Sequence, residues 1–154
     1  MEFLKMPFCK TLLPGLALLC LSGCFSTTKK ESYVIEEADI PEDRSYSEVA
    51  DYELTWESIF DVGQDKYYVY FYSSTCNHCV EIKNYIIEKA LERKDIYFVK
   101  GTSKDQLTND SKKLIGAENP GDFYILGYPT LALISNQKCT KNLAGDVQIK
   151  SELK

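Results

Sequence analysis

Residues 66 to 74, KYYVYFYSS, place six aromatic or β-branched residues in a row before two serines. A strand with apolar side chains on both faces belongs in the middle of a sheet that is covered on both sides. The tyrosines at 67, 68, 70 and 72 are core and sheet-rim residues in that reading, because aromatics pack well on a pleated surface. The period then changes. Ile82, Ile86 and Ala90 recur at helical spacing beside Ile87 and Leu91, with most charges elsewhere, which predicts an amphipathic helix of about four turns from Cys76. IYFVK, residues 96 to 100, is a second buried strand, and GYPTLALIS a third that starts at a proline. Asn136-Gln137 makes a turn, KCTKNLAG returns as an antiparallel edge strand, and DVQIKSELK closes the chain as a short helix. Thr55 caps a short helix over TWESIF, and DQLTNDSKKLIGA supplies one more between the second and third strands. Strand and helix alternate, so the class is α/β with its first strands parallel.

The junction of the first strand and its helix carries CNHC, residues 76 to 79. Two cysteines there are a redox pair, half of a zinc site, or two buried thiols. A cysteine at a helix N-terminus meets unpaired amides and the positive end of the macrodipole, which favour the reactive thiolate of Cys76. Two intervening residues let the second thiol close a disulfide within one helical turn. A structural zinc site wants four ligands, often as two cysteine pairs. The chain offers only Cys76, Cys79, His78 and Cys139, so no metal is expected. His78 is the only histidine, which leaves hydrolase chemistries short of a base. Cys139 reads as a small buried hydrophobe, with a third redox role as the weaker alternative.

YVYFYSSTCNHC before an amphipathic helix, with GYPT opening a strand about fifty residues later, resembles the thioredoxin-like superfamily over roughly residues 52 to 150. The resemblance implies a central mixed β-sheet flanked by helices on both faces. It implies thiol–disulfide exchange through a Cys76–Cys79 disulfide, with Cys76 attacking, Cys79 resolving, and no cofactor. It implies a cis peptide before Pro129, and substrate contacts at Tyr128, Pro129 and Thr130. Histidine at position 78 is found in the disulfide isomerases and bacterial disulfide oxidases of that superfamily, where it stabilises the thiolate. That places the couple on the oxidising side of thioredoxin's roughly −270 mV. The chain departs from the thioredoxins in four places: Tyr70 stands where they carry a buried acid, Thr75 where they carry tryptophan, Asn84 where they carry a helix-kinking proline, and residues 101–122 exceed their minimal connection.

The N-terminus sets the expected address. Lys5 and Lys10 precede the nearly uncharged TLLPGLALLCLSG, residues 11 to 23. That run falls short of the roughly 20 apolar residues a bilayer span needs, and it reads as a signal-peptide core. LSGC at 21 to 24 resembles the lipobox of bacterial lipoprotein precursors. It implies cleavage after Gly23 and lipidation of Cys24, with an uncleaved anchor or an ordinary signal as the alternatives. The expected organisation is a signal peptide over 1–23, a lipidated flexible tether over 24–47 and the domain over 48–154. Removing residues 1–23 takes away two lysines and one glutamate, so the net charge goes from −5 to −6. An acidic balance argues against nucleic acid. Of six cysteines, Cys9 and Cys20 leave with the signal. The expectation is a monomeric oxidoreductase on the outer side of a bacterial cell membrane. It acts on thiols and disulfides of exported proteins, with a membrane electron-transfer partner. The alternative is a non-enzymatic binding lipoprotein of the same fold.

Overall fold

The computed structural model describes residues 43–101 and 106–154. The signal peptide, Cys24 and the tether up to residue 42 lie outside the described residues. Six regular elements follow in order: β1 (Lys66–Tyr72), α1 (Asn77–Arg93), β2 (Ile96–Lys100), β3 (Thr130–Ser135), β4 (Lys138–Ala144) and α2 (Asp146–Glu152). They form an α/β fold around a four-stranded mixed sheet in the order β2-β1-β3-β4. β1 pairs parallel with β2 and antiparallel with β3, and β3 pairs antiparallel with β4.

β1 is an interior strand, as its composition predicts. Its side chains alternate between two apolar layers. Tyr68, Tyr70 and Tyr72 enter the layer that α1 fills with Ile82, Ile86, Ile87 and Ala90, and α2 with Ile149. Tyr67, Val69 and Phe71 enter the other layer with Trp56, Ile59, Phe60 and Phe123. Helical cover lies on both faces, but in two forms. The first face carries α1, α2 and a 3-10 helix at Tyr46–Tyr52. The second carries short 3-10 turns at Trp56–Ser58 and Pro120–Asp122, tied by the Trp56 Nε1 donation to the Pro120 carbonyl at 3.1 Å.

Two sequence expectations change. The helix expected over DQLTNDSKKLIGA is absent among the described residues, where a 3-10 turn spans Ser111–Lys113. Local bonds compete there: Thr108 Oγ1 accepts the Asp110 amide at 3.1 Å, and Asp110 Oδ1 accepts the Lys112 amide at 3.0 Å. The chain is then drawn alongside β4, where Gly116 N donates to the Cys139 carbonyl and Cys139 N to the Ala117 carbonyl, both at 2.8 Å. The second change is at the N-terminal side. Ordered packing reaches upstream of residue 48. Ser45 caps the first 3-10 helix in a reciprocal box with Glu48. Arg44 N donates to Asn84 Oδ1 at 3.1 Å, and Lys83 pairs with Asp43 at 2.7 Å. Tyr46 stacks on Tyr72 with ring centroids 3.9 Å apart.

Candidate functional site

The site forms where β1 hands the chain to α1. Ser73 shapes the turn: its carbonyl accepts the Cys76 amide at 3.2 Å, and its hydroxyl accepts the Thr75 amide at 3.4 Å. Cys76 stays in extended conformation, φ −94° and ψ 114°, as the N-cap of α1. Its sulfur takes the place of the usual capping oxygen and accepts the Cys79 amide at 3.2 Å. A first-turn N–H therefore points at the Cys76 sulfur, at the end of α1 where the dipole favours negative charge.

The two thiols are unequal. Cys76 is half-buried, whereas Cys79 is 2% exposed. Burial pushes the Cys79 thiol up to about 12, and its contact with Cys76 adds to the rise. Both cysteines are free thiols in this structure. The Cys76 sulfur lies 3.5 Å from the Tyr128 carbonyl. The Tyr128–Pro129 peptide is cis, as the resemblance implied. Pro129 and Thr130 are buried, and Tyr128 is half-buried. The Thr130 hydroxyl donates to the Gly127 carbonyl at 2.7 Å, so this side chain braces the turn that presents Tyr128.

His78 lies on the exposed side of the first turn. Its Nδ1 is 3.2 Å from the Glu81 carboxylate, and no hydrogen bond joins the ring to either thiol among the described residues. Cys139 is separated from the pair by the sheet: it sits in the layer opposite Cys79. Its thiol donates to the Leu114 and Lys141 carbonyls at 3.4 and 3.3 Å, and burial pushes it up to about 12. The site has no place for Cys139. Among the described residues no group of three or more His, Cys, Asp or Glu side chains is placed to hold a metal ion.

Tyr70, Tyr46 and Tyr128 pack in or against the layer of Cys79; the sequence puts Tyr70 in the core, Tyr46 in the tether and Tyr128 at the substrate contact. Three β1 tyrosines have hydroxyl partners: Tyr67 donates to the Ile59 carbonyl at 2.7 Å, Tyr68 to Glu152 at 2.9 Å and Tyr72 to Glu53 at 3.1 Å. Tyr70 does not. It is 0% exposed, and its hydroxyl, like those of Tyr46 and Tyr128, is buried without a hydrogen bond of ordinary geometry. Tyr70, Tyr46 and Cys79 pack in one apolar layer, and the Tyr70 hydroxyl opposes the rise in the Cys79 thiol. Burial holds Tyr70 far above the ordinary tyrosine range, and Tyr46 up to about 12. Both phenols are donors, not bases. The strand pattern flags Tyr70 only as core, and Tyr46 lies in a stretch whose polarity hides it.

No protein-family model matches this sequence, and no curated protein does. Solved structures with a similar fold include thioredoxins. Thioredoxin f2 of Chlamydomonas reinhardtii is 23% identical, with a TM-score of 0.46 over 66% of this chain and 90% of that one. Mitochondrial thioredoxin 3 of Saccharomyces cerevisiae, in its oxidised form, is 17% identical, with a TM-score of 0.46 over 69% and 93%. The oxidised thioredoxin of Plasmodium falciparum is 19% identical, with a TM-score of 0.41 over 64% and 86%. The likeness is one of fold alone.

Proposed function

We propose that this chain is a thiol–disulfide oxidoreductase acting through Cys76 and Cys79. The observation that carries the reading is the inequality of the thiols: one half-exposed sulfur under a helix-end amide, one buried sulfur a turn deeper. In the reducing direction the Cys76 thiolate attacks a substrate disulfide R–S–S–R′. The Cys76–S–S–R bond forms and R′S⁻ leaves. Cys79 then attacks the Cys76 sulfur, the internal disulfide forms and RS⁻ leaves. The substrate gains two electrons and the pair loses two; the oxidising direction is the reverse. The exposed edge beside the Tyr128 carbonyl is where substrate approaches.

The finer reading adds an address. Lys5, Lys10, the apolar run to Gly23 and LSGC support export and lipidation at Cys24, so the domain works outside the cytoplasm of a bacterium on exported proteins. A membrane partner would restore the pair after each turnover. Palmitate labelling of the full chain, lost in Cys24→Ser, tests the anchor; equal labelling of both overturns it.

The deciding experiment takes the full chain in detergent through a glutathione redox series. A reversible two-electron couple, absent in Cys76→Ser, is expected, and Cys79→Ser should accumulate mixed disulfides. A potential near −120 to −200 mV marks an oxidant or isomerase, one near −270 mV a reductant. No couple at all removes the assignment and leaves the binding lipoprotein.

A further inference from the structure

We propose that the hydroxyls of Tyr70 and Tyr46 form a donor pair that positions and stabilises the Cys79 sulfur as the thiolate that resolves the mixed disulfide. The inference rests on the thiol–disulfide reading above and adds two positioning residues to it. A buried hydroxyl without a partner carries a desolvation cost that phenylalanine at the same place would avoid. Tyr70 carries that cost alone among the β1 tyrosines, since Tyr67, Tyr68 and Tyr72 each donate to an oxygen. Tyr46 carries it too, and arrives from a separate element. Two buried phenols without a hydrogen bond of ordinary geometry, from different segments, pack in the apolar layer that holds Cys79.

A neutral thiol is a weak acceptor, so these hydroxyls gain little while Cys79 is protonated. A thiolate is charged, and hydrogen bonds to charged groups are the stronger class. The partner the phenols lack in the dithiol form therefore appears when Cys79 ionises. The titratable groups around Cys79 are Cys76 at the helix cap, Tyr70 on β1, Tyr46 in the N-terminal 3-10 helix and Tyr128 before β3, none of them a cation. The Ser73 backbone adds one favourable contact. Burial works against ionisation of this thiol, so a donor to its charged form favours the resolving step.

The step balances without further reagents. The Cys79 proton passes to water and the phenols keep theirs. The Cys79 thiolate attacks the Cys76 sulfur, the Cys76–substrate bond breaks, and the departing thiolate takes up a proton from solvent. The N-terminal 3-10 helix thus belongs to the redox site: Tyr46 is held over it by stacking on Tyr72 and by the Arg44–Asn84 bond.

The reaction with Ellman's reagent of the reduced full chain, with Cys9, Cys20 and Cys24 replaced by serine, separates the two steps. Cys76 releases the first thionitrobenzoate and Cys79 expels the second. Tyr70→Phe and Tyr46→Phe should leave the first release within about twofold. In Tyr70→Phe the second should slow about tenfold at pH 7, with its pH midpoint up by about one unit, because a donor to the charged form is lost. A phenol that only fills space would not move that midpoint. If Tyr70→Phe does not fold, the same shift in Tyr46→Phe decides. An unchanged second release and midpoint in the folded variants overturns the donor pair while the oxidoreductase reading stands. A chain with both tyrosines that never expels the second thionitrobenzoate overturns the oxidoreductase reading itself, and the donor pair with it.

Discussion

Cys76 is both the outer thiol and the helix cap, and the two roles separate by substitution. Serine is among the best N-cap residues, and its oxygen can accept the Cys79 amide that the sulfur now accepts at 3.2 Å. Alanine cannot. Cys76→Ser should therefore lose thiol exchange while keeping nearly all its stability, and Cys76→Ala should lose exchange and about 0.5–2 kcal/mol as well. Urea denaturation of the two reduced variants measures the difference. Equal stability would mean that the sulfur contact does not support α1. The same residue shows how far the pair was legible in sequence. Its position before an amphipathic run placed it at a helix end. That Cys79 lies 2% exposed follows from Ile82 and Ile86 sharing its face of α1. The resemblance gives His78 an electrostatic role at the Cys76 thiolate; the structure sets its ring beside Glu81, because i and i+3 are neighbours on a helix surface.

Among the elements, the β3–β4 hairpin makes the sharpest demand on sequence. Its two turn residues, Asn136 and Gln137, have φ of 49° and 59°, the left-handed pair that a two-residue hairpin requires. Asparagine tolerates that region; glutamine has no local side-chain bond to favour it. Gln137→Gly should stabilise the protein by about 1 kcal/mol, read as a higher urea midpoint at an unchanged slope. A lower midpoint would show that the glutamine side chain contributes more than its backbone costs. Asn136 made this turn visible in sequence, and two-faced apolar runs did the same for β1, β2 and β3. The segment from Gln106 to Ala117 was not visible. Leu107, Lys112, Lys113 and Leu114 suit a helix, but Thr108 and Asp110 close local bonds, and Cys139, more than twenty positions on, draws Gly116 and Ala117 out to pair with β4. Tyr46 escaped for a related reason. Its neighbours are polar, and the ring it stacks on, Tyr72, lies across the fold.

For the molecule as a whole, the two apolar layers each bury one thiol, Cys79 in one and Cys139 in the other. Burial pushes both up to about 12, against about 8.5 in an unfolded chain. The folded state therefore holds both protons through a range in which the unfolded state releases them, so the unfolded state binds fewer protons and stability must fall as pH rises. The contribution is fully present below about pH 8.5 and is lost progressively toward pH 12. Tyr67 and Tyr68, also raised to about 12 by burial, act with the same sign, but unfolded tyrosine releases its proton only near pH 10. Between about pH 8.5 and 10 the thiols thus dominate, and each should remove about 1–2 kcal/mol of stability from the reduced protein. Cys139→Ala deletes one of the two titrations without touching the redox pair, so its stability should fall about half as steeply across that window, whatever the alanine costs at neutral pH. Urea midpoints at pH 7, 8.5 and 10 under reducing conditions measure both slopes. Parallel slopes for the two proteins would mean that Cys139 ionises in the folded state as readily as in the unfolded chain, and that the second layer admits water to a thiol the structure places at 1% exposure.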